Sequence, residues 1–202
     1  MATRPKRADA RRNYERLLAT ARVAFEEHGV DASLDDIAKR SGVGPGTLYR
    51  HFPTRDDLLH AVLSDWIEGL VAEAGRLADE PSPGVALGAW LRVYLSGVSA
   101  QKGTSAALIA AMSSPWGASA LGDSQAAICT VTERLLVRAQ EAGEARGDVD
   151  ARDLVRLANA VGIAAERTAE PVVNATRMLA VILDGLGLPE AAAEPLPSPA
   201  PH

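Results

Sequence analysis

The stretch from Ser33 to Phe52 reads S-L-D-D-I-A-K-R-S-G-V-G-P-G-T-L-Y-R-H-F, and its reading decides the fold. Ser33 stands before a short run with one apolar face, made by Leu34, Ile37 and Ala38. Asp36 follows Ser33 by three residues, a spacing at which hydroxyl and carboxylate can satisfy each other's free amides at a helix start. Gly42 takes a positive φ without steric cost, as a tight turn wants. Val43 is placed to plug the angle between two helices, and the small Ala38 lets them cross closely. Pro45 suits the first turn of the second helix, where its missing N–H removes no bond. That helix carries Leu48, Tyr49 and Phe52, and keeps Gly44, Gly46, Thr47, Arg50 and His51 small or polar. Two short helices joined by Ser41-Gly42-Val43 make a helix-turn-helix. The second has the polar N-terminal side that reading a major groove requires.

The pattern outward from this unit is helical. Upstream, Tyr14, Leu17, Leu18, Ala21 and Phe25 recur at helical spacing, and Gly29 marks the stop. Downstream, Thr54 with Asp57 starts a longer helix to about Leu77, with Leu58, Leu59, Val62, Leu63, Trp66, Ile67, Leu70 and Val71 in register. Asp79 to Gly84 is a loop. Leu87, Trp90, Leu91, Tyr94, Leu95 and Val98 share the next helical face. A shorter helix is expected over 106–112, ended near Pro115. Ile128, Val131, Leu135 and Leu136 mark another helix, and Asp150 and Asp153 cap one that turns Leu154, Leu157, Ala158, Val161 and Ala165 inward. Pro171 opens the last, through Leu179, Ile182, Leu183 and Leu186. No segment alternates with period two, so the fold class is all-α, with about nine helices. The expected organisation is a basic flexible arm over 1–12, a three-helix helix-turn-helix domain over 13–53, and a C-terminal helical bundle over 54–188. A tail over 189–202 holds five of the twelve prolines and is expected to be disordered.

Composition narrows the function. Of 202 residues, 47% are hydrophobic and 23% charged, enough for a substantial core. No apolar run approaches the ~20 residues of a membrane helix. The basic start M-A-T-R-P-K-R-A-D-A-R-R is not followed by the apolar segment of a secretory signal. A soluble, cytoplasmic protein is expected, without a membrane partner. One cysteine, Cys129, allows neither an internal disulfide nor a cysteine zinc framework. The net charge of -5 hides an asymmetry: residues 1–60 hold 11 Lys/Arg against 9 Asp/Glu, and residues 61–202 hold 10 against 17. Five basic side chains fall in the first twelve residues. A basic arm on an acidic body is a polyanion contact or, more plainly, a solvated tail. There is no Walker loop, dinucleotide fingerprint or H-E-x-x-H, and the four histidines do not cluster with carboxylates. No cofactor, metal site or catalytic site is expected. Asp35, Asp36, Asp56 and Asp57 read as first-turn residues favoured by the helix dipole. Cys129 reads as a buried inert thiol or a redox sensor.

From about Arg11 to Leu63 the chain resembles the TetR family of transcriptional regulators. The resemblance rests on A-x-x-x-F-x-x-x-G at Ala21, Phe25 and Gly29, on D-I-A at 36–38, on G-V-G-x-G-T-L-Y-x-H-F at 42–52, and on P-T-R-D-D-L at 53–58. It implies a homodimer whose second helix-turn-helix element lies in the major groove of a palindromic double-stranded operator. By position, Thr47, Tyr49 and His51 correspond to phosphate contacts, and Arg55 stands where the family usually has lysine. Gly44, Pro45 and Gly46 stand where base edges approach. Pro45 has no donor, which shifts readout towards Arg50, the arm with Arg12, and DNA shape. Ser33, at the start of the first element, joins this DNA set. Each has a plainer reading: Tyr49 as core, His51 as a surface histidine, Arg50 as solvated.

The resemblance further implies that the bundle binds a small effector which lowers DNA affinity, making the chain an effector-released repressor. It also implies dimerisation through the last two helices, roughly 151–168 and 172–187. Small residues at 158, 160, 162, 164 and 165 suit close helix approach. The pocket is expected to be aromatic and apolar, formed by Trp66, Trp90, Tyr94, Met112 and Trp116, with Gln125, Glu133 and Asn159 as polar anchors. The alternatives are an ordinary aromatic core and, for the whole chain, a small-molecule carrier with a vestigial DNA module, for which only Pro45 speaks.

Overall fold

The computed structural model describes residues 5–100, 120–166, 168–188 and 195–197. Among them it holds eight α-helices and no strand. We number the helices α1 (Pro5–His28), α2 (Leu34–Arg40), α3 (Pro45–His51), α4 (Arg55–Leu77), α5 (Pro83–Ala100), α6 (Ala120–Glu141), α7 (Ala151–Glu166) and α8 (Pro171–Leu186). The helix expected over 106–112 and the break at Pro115 lie outside the described residues.

Local chemistry sets the boundaries. Ser33 Oγ accepts the Asp36 N–H at 3.3 Å. Gly42 takes φ 68° between α2 and α3. Thr54 and Asp57 form a full capping box: Thr54 Oγ1 accepts the Asp57 N–H at 3.1 Å, and the Asp57 carboxylate accepts the Thr54 N–H at 2.9 Å. Thr54→Ala removes half of this pair. It should lower the unfolding free energy by about 1 kcal/mol, read as an earlier urea midpoint at unchanged slope. Gly187, at φ 88°, ends α8.

One expectation is corrected at the N-terminus, and of the tail three residues are described. Residues 5–12 are the first turns of α1, not a flexible arm. Arg12 pairs with Asp9 and Arg11 with Glu15 at helical spacing, which supports a helix that charge content alone disguises. In the tail, residues 195–197 lie on α5. Ser96 donates its hydroxyl to the Pro197 carbonyl at 2.7 Å, and Leu196 packs partly buried against the core. One large apolar side chain between two stiff prolines gains contact at small entropic cost.

Helices α1 to α3 close a small core of Leu17, Ala21, Phe25, Ile37, Ala38, Leu48 and Phe52. Helix α4 joins it to the bundle, packing on α1 at one end and on α5 and α6 beyond. Arginines reinforce this corner: Arg22 donates to the Val62 carbonyl at 3.4 Å, and Arg40 pairs with Glu27 at 2.8 Å. That hydrogen bond from Arg40 holds the Glu27 carboxyl below the ordinary carboxylate range.

Helix α5 is the axis of the bundle, in contact with α4, α6, α7 and α8. A Cβ at Gly162 would stand 2.6 Å from Val98 Cγ1, so α7 lies as close to α5 as a backbone allows. Ala158, Gly162 and Ala165 therefore serve the monomer's own packing, whereas Ala160 and Ala164 are exposed. At the end of the bundle near the α4–α5 loop, side chains tie the connections together. Glu144 accepts from the Ser82 hydroxyl at 3.0 Å and the Gly84 N–H at 2.6 Å. Arg138 donates to the Glu80 carbonyl at 3.1 Å, and the Arg146 N–H donates to the Leu186 carbonyl at 3.1 Å.

Candidate functional site

Helix α3 buries Leu48 and turns the rest of its surface outward. Tyr49 is 45% exposed, and Pro45, Gly46, Arg50 and His51 are exposed beside it, with Thr47 half-buried. The core reading of Tyr49 therefore fails, while Phe52 is core. Tyr14 of α1 sets the end of α3: its ring lies 5.3 Å from Phe52 and, edge-on, 5.9 Å from His51. Gly44 and Gly46 add a negative observation. A Cβ at either would meet nothing of the protein within 4 Å, and neither has a positive φ. Packing and backbone conformation do not account for these two glycines, so they leave bare backbone on an outward face.

The remaining residues of the DNA set are placed differently. Ser33 is the α2 cap described above. Arg12 is exposed on α1, paired with Asp9. Arg55 is half-buried, and its Nη1 donates to the Ala32 carbonyl at 2.6 Å. This guanidinium braces the start of α4 against the residue that precedes Ser33, a role that the sequence did not signal.

The aromatic residues converge in the bundle. Trp66 of α4, Tyr94 and Trp90 of α5 stack in a row, with ring centroids 6.3 and 5.9 Å apart. Gly97 makes room for Trp66, since a Cβ there would stand 2.2 Å from its indole nitrogen. Trp90 and Tyr94 are fully buried and their polar tips are spent: Trp90 Nε1–H donates to Thr132 Oγ1 at 2.9 Å, and the Tyr94 hydroxyl donates to Asn159 Oδ1 at 2.8 Å. Burial pushes the Tyr94 hydroxyl far above the ordinary phenol range. Thr132 belongs to this layer and was missed. Its signal was its place seven residues after Gln125, on the same α6 stripe as Ile128, Leu135 and Leu136. Gln125 and Asn159 point inward as expected. Glu133 does not: it is exposed, one residue off that stripe, and faces a surface groove with Cys129, Asp150 and Arg152. Met112 and Trp116 lie outside the described residues.

Cys129 is buried, and its thiol is pushed up to about 11, chiefly by burial. It carries no thiolate at neutral pH. Under native conditions at pH 7.5 iodoacetamide should leave it unmodified over the time in which it alkylates the urea-unfolded chain fully, as mass spectrometry would show.

Fold and exposed α3 define a helix-turn-helix DNA-binding regulator. The comparisons agree. The family model for bacterial regulatory proteins of the tetR family matches residues 17–62, and that for the C-terminal domain of SbtR-like transcriptional regulators matches residues 82–188. The chain belongs to the TetR family of transcriptional regulators. A TetR regulator from Streptomyces coelicolor is 35% identical, with 85% of this chain and 97% of that chain covered and a TM-score of 0.55. One from Mycobacterium vanbaalenii is 34% identical over 90% of this chain and 99% of its own, with a TM-score of 0.50. An HTH-type transcriptional regulator of Staphylococcus aureus strain USA300 is 36% identical over 75 residues, 37% of this chain. The chain thus spans 40% of the length of that curated relative.

Proposed function

We propose that the chain is a cytoplasmic, effector-released homodimeric repressor that reads a palindromic operator. The observation that carries the DNA reading is α3 itself. Thr47, Tyr49, Arg50 and His51 stand outward beside two glycines that packing does not require, so donors and bare backbone face a partner together. No described helix is long and apolar enough to cross a membrane. Dimerisation is supported by the outer face of α7 and α8, where Leu157, Val172, Val173 and Val181 are exposed. An effector favouring one arrangement of the bundle shifts the population away from the DNA-binding one.

Selection from randomised DNA tests the reading and is expected to enrich a palindrome. On that operator Tyr49→Phe should weaken specific and non-specific binding by a similar factor, about fivefold to tenfold, because a phosphate contact positions without specifying. Arg50→Ala should reduce the salt slope by about one unit. Wild-type binding by both variants, measured by fluorescence anisotropy across salt, would remove α3 from the interface. No enriched sequence would favour a carrier instead.

A further inference from the structure

Gln125 stands apart from every other residue in the aromatic layer. It is 1% exposed and lies beside the Tyr94 hydroxyl, yet among the described residues neither its Nε2 nor its Oε1 makes a hydrogen bond of ordinary geometry. The protons of the neighbouring donors are already committed. The single Tyr94 proton goes to Asn159, the Trp90 N–H to Thr132, and the Thr132 proton to the Ile128 carbonyl at 2.7 Å. Ser99 Oγ and Arg138 Nη1 are the other buried side-chain atoms without a partner among the described residues; the hydroxyl donates and accepts at one atom and the guanidinium only donates, so neither presents a separate donor and acceptor side by side. An unpaired buried amide is costly, and an apolar residue would fill this position on the α6 stripe without that cost.

Among the described residues, the groups acting on the neighbouring Tyr94 hydroxyl carry no charge at neutral pH. They are the side chains of Asn159 and Gln125, within hydrogen-bonding reach of it, and Cys129, a thiol that burial keeps neutral. Arg92, the buried cation of α5, is two residues from Tyr94 and so on the other side of that helix. A carboxylate or ammonium brought to Gln125 would lose its water without gaining an opposite charge. The stacked rings of Trp66, Tyr94 and Trp90 run through the same layer and favour a flat apolar body.

We infer that the Gln125 amide is the recognition point for an uncharged ligand presenting a hydrogen-bond donor and acceptor side by side, as carboxamides and lactams do, on a flat apolar body. Such an edge pairs with the Gln125 carboxamide reciprocally, N–H to O=C in both directions. The inference rests on the reading of the bundle as an effector site, and gives that site its ligand chemistry.

The test uses the full chain without DNA and three probes of one size: benzamide, acetophenone, which keeps only the acceptor, and benzoate, which carries a charge. Binding is followed by tryptophan fluorescence and thermal shift. Benzamide should bind at least about tenfold more tightly than either of the others, the factor expected for one buried hydrogen bond. Gln125→Met should abolish the preference, making benzamide and acetophenone equal, and should raise the melting temperature of the ligand-free protein. Equal binding of the three probes by the wild-type chain, or no binding of benzamide, overturns the inference even if the variant fails to fold. So does a Gln125→Met protein that keeps the benzamide preference or melts lower than wild type. Operator release is measured separately. If benzamide binds through Gln125 while the operator stays bound, the repressor reading falls and the ligand chemistry stands.

Discussion

Trp90→Ala is expected to lower the unfolding free energy by about 3–5 kcal/mol, the range for removing a large aromatic ring from a packed core. The indole has no exposed surface. It touches Tyr94 on one side, and its N–H is the partner of Thr132 Oγ1. The variant loses the ring's burial, leaves a cavity and removes a donor from a buried acceptor. Native domains hold only about 5–15 kcal/mol in total, so the protein should be partly unfolded near its wild-type melting temperature less ten or more degrees. Urea unfolding followed by far-UV circular dichroism measures this without relying on tryptophan emission. A loss below about 1 kcal/mol would show that Trp90 is not in the packed core. The same burial means that a failed effector response in Trp90→Ala or Tyr94→Ala reports on folding as much as on binding. Gln125 is the sharper probe of the site.

Val181→Glu is expected to separate the dimer. Val181 is 73% exposed on α8, with Val173 on the same helix and Leu157 on α7 exposed as well. In the proposed interface the carboxylates of both protomers would be desolvated together, at about 3 kcal/mol or more each even with Arg177 one turn away on the same helix. Association should weaken by several powers of ten, leaving monomers at micromolar concentration by sedimentation. Operator binding should drop by at least about a hundredfold, because one protomer reads one half-site. The monomer's own melting should change little, since the side chain touches solvent in the isolated chain. Leu179 is the wrong place for this test. It is buried within the protomer, and a charge there would unfold the bundle. A Val181→Glu protein that remains dimeric and binds operator as wild type does would move the interface elsewhere.

The helix-turn-helix was legible because nearly every residue of 33–52 obeys a local rule: a cap at Ser33, a positive φ at Gly42, a first-turn proline at Pro45, apolar faces at helical spacing. The bundle was legible to the same extent, since Leu87 to Val98 and Leu154 to Ala165 repeat with the period of one buried face. Facing was harder. Gly162 and Ala158 could pack within the protomer or between two, and only the contact with Val98 decides it. Glu133 failed as an inward anchor because one residue is 100° of rotation, so a neighbour of a buried position is not itself buried. Residues 5–12 are helical under a charge content that reads as an arm, with Arg12 paired to Asp9 and Arg11 to Glu15 at helical spacing. In the tail the described residues are 195–197, where Leu196 packs against the core between two prolines. Arg55 shows a deeper limit. Its bond to the Ala32 carbonyl spans 23 residues, and no periodicity carries such a contact.

The ties around the α4–α5 loop have a mechanical consequence. Arg138 and Glu144 hold that loop, and with it the C-terminal end of α4, against α6 and the chain beyond it. A rod of 23 residues is about 34 Å long. Fastened at its C-terminal end, it turns about that point. Trp66 lies halfway along it and Arg55 at its far end, so an outward step at the indole is about doubled where the rod carries α1 and the Ala32 carbonyl with it. In the proposed dimer, two protomers moving symmetrically double the separation change again. A ligand that displaces Trp66 by 1 Å would thus alter the distance between paired α3 helices by about 4 Å, more than one base-pair step of 3.4 Å. Loosening the hinge with Glu144→Ala should therefore dissipate the signal while leaving the ligand bound.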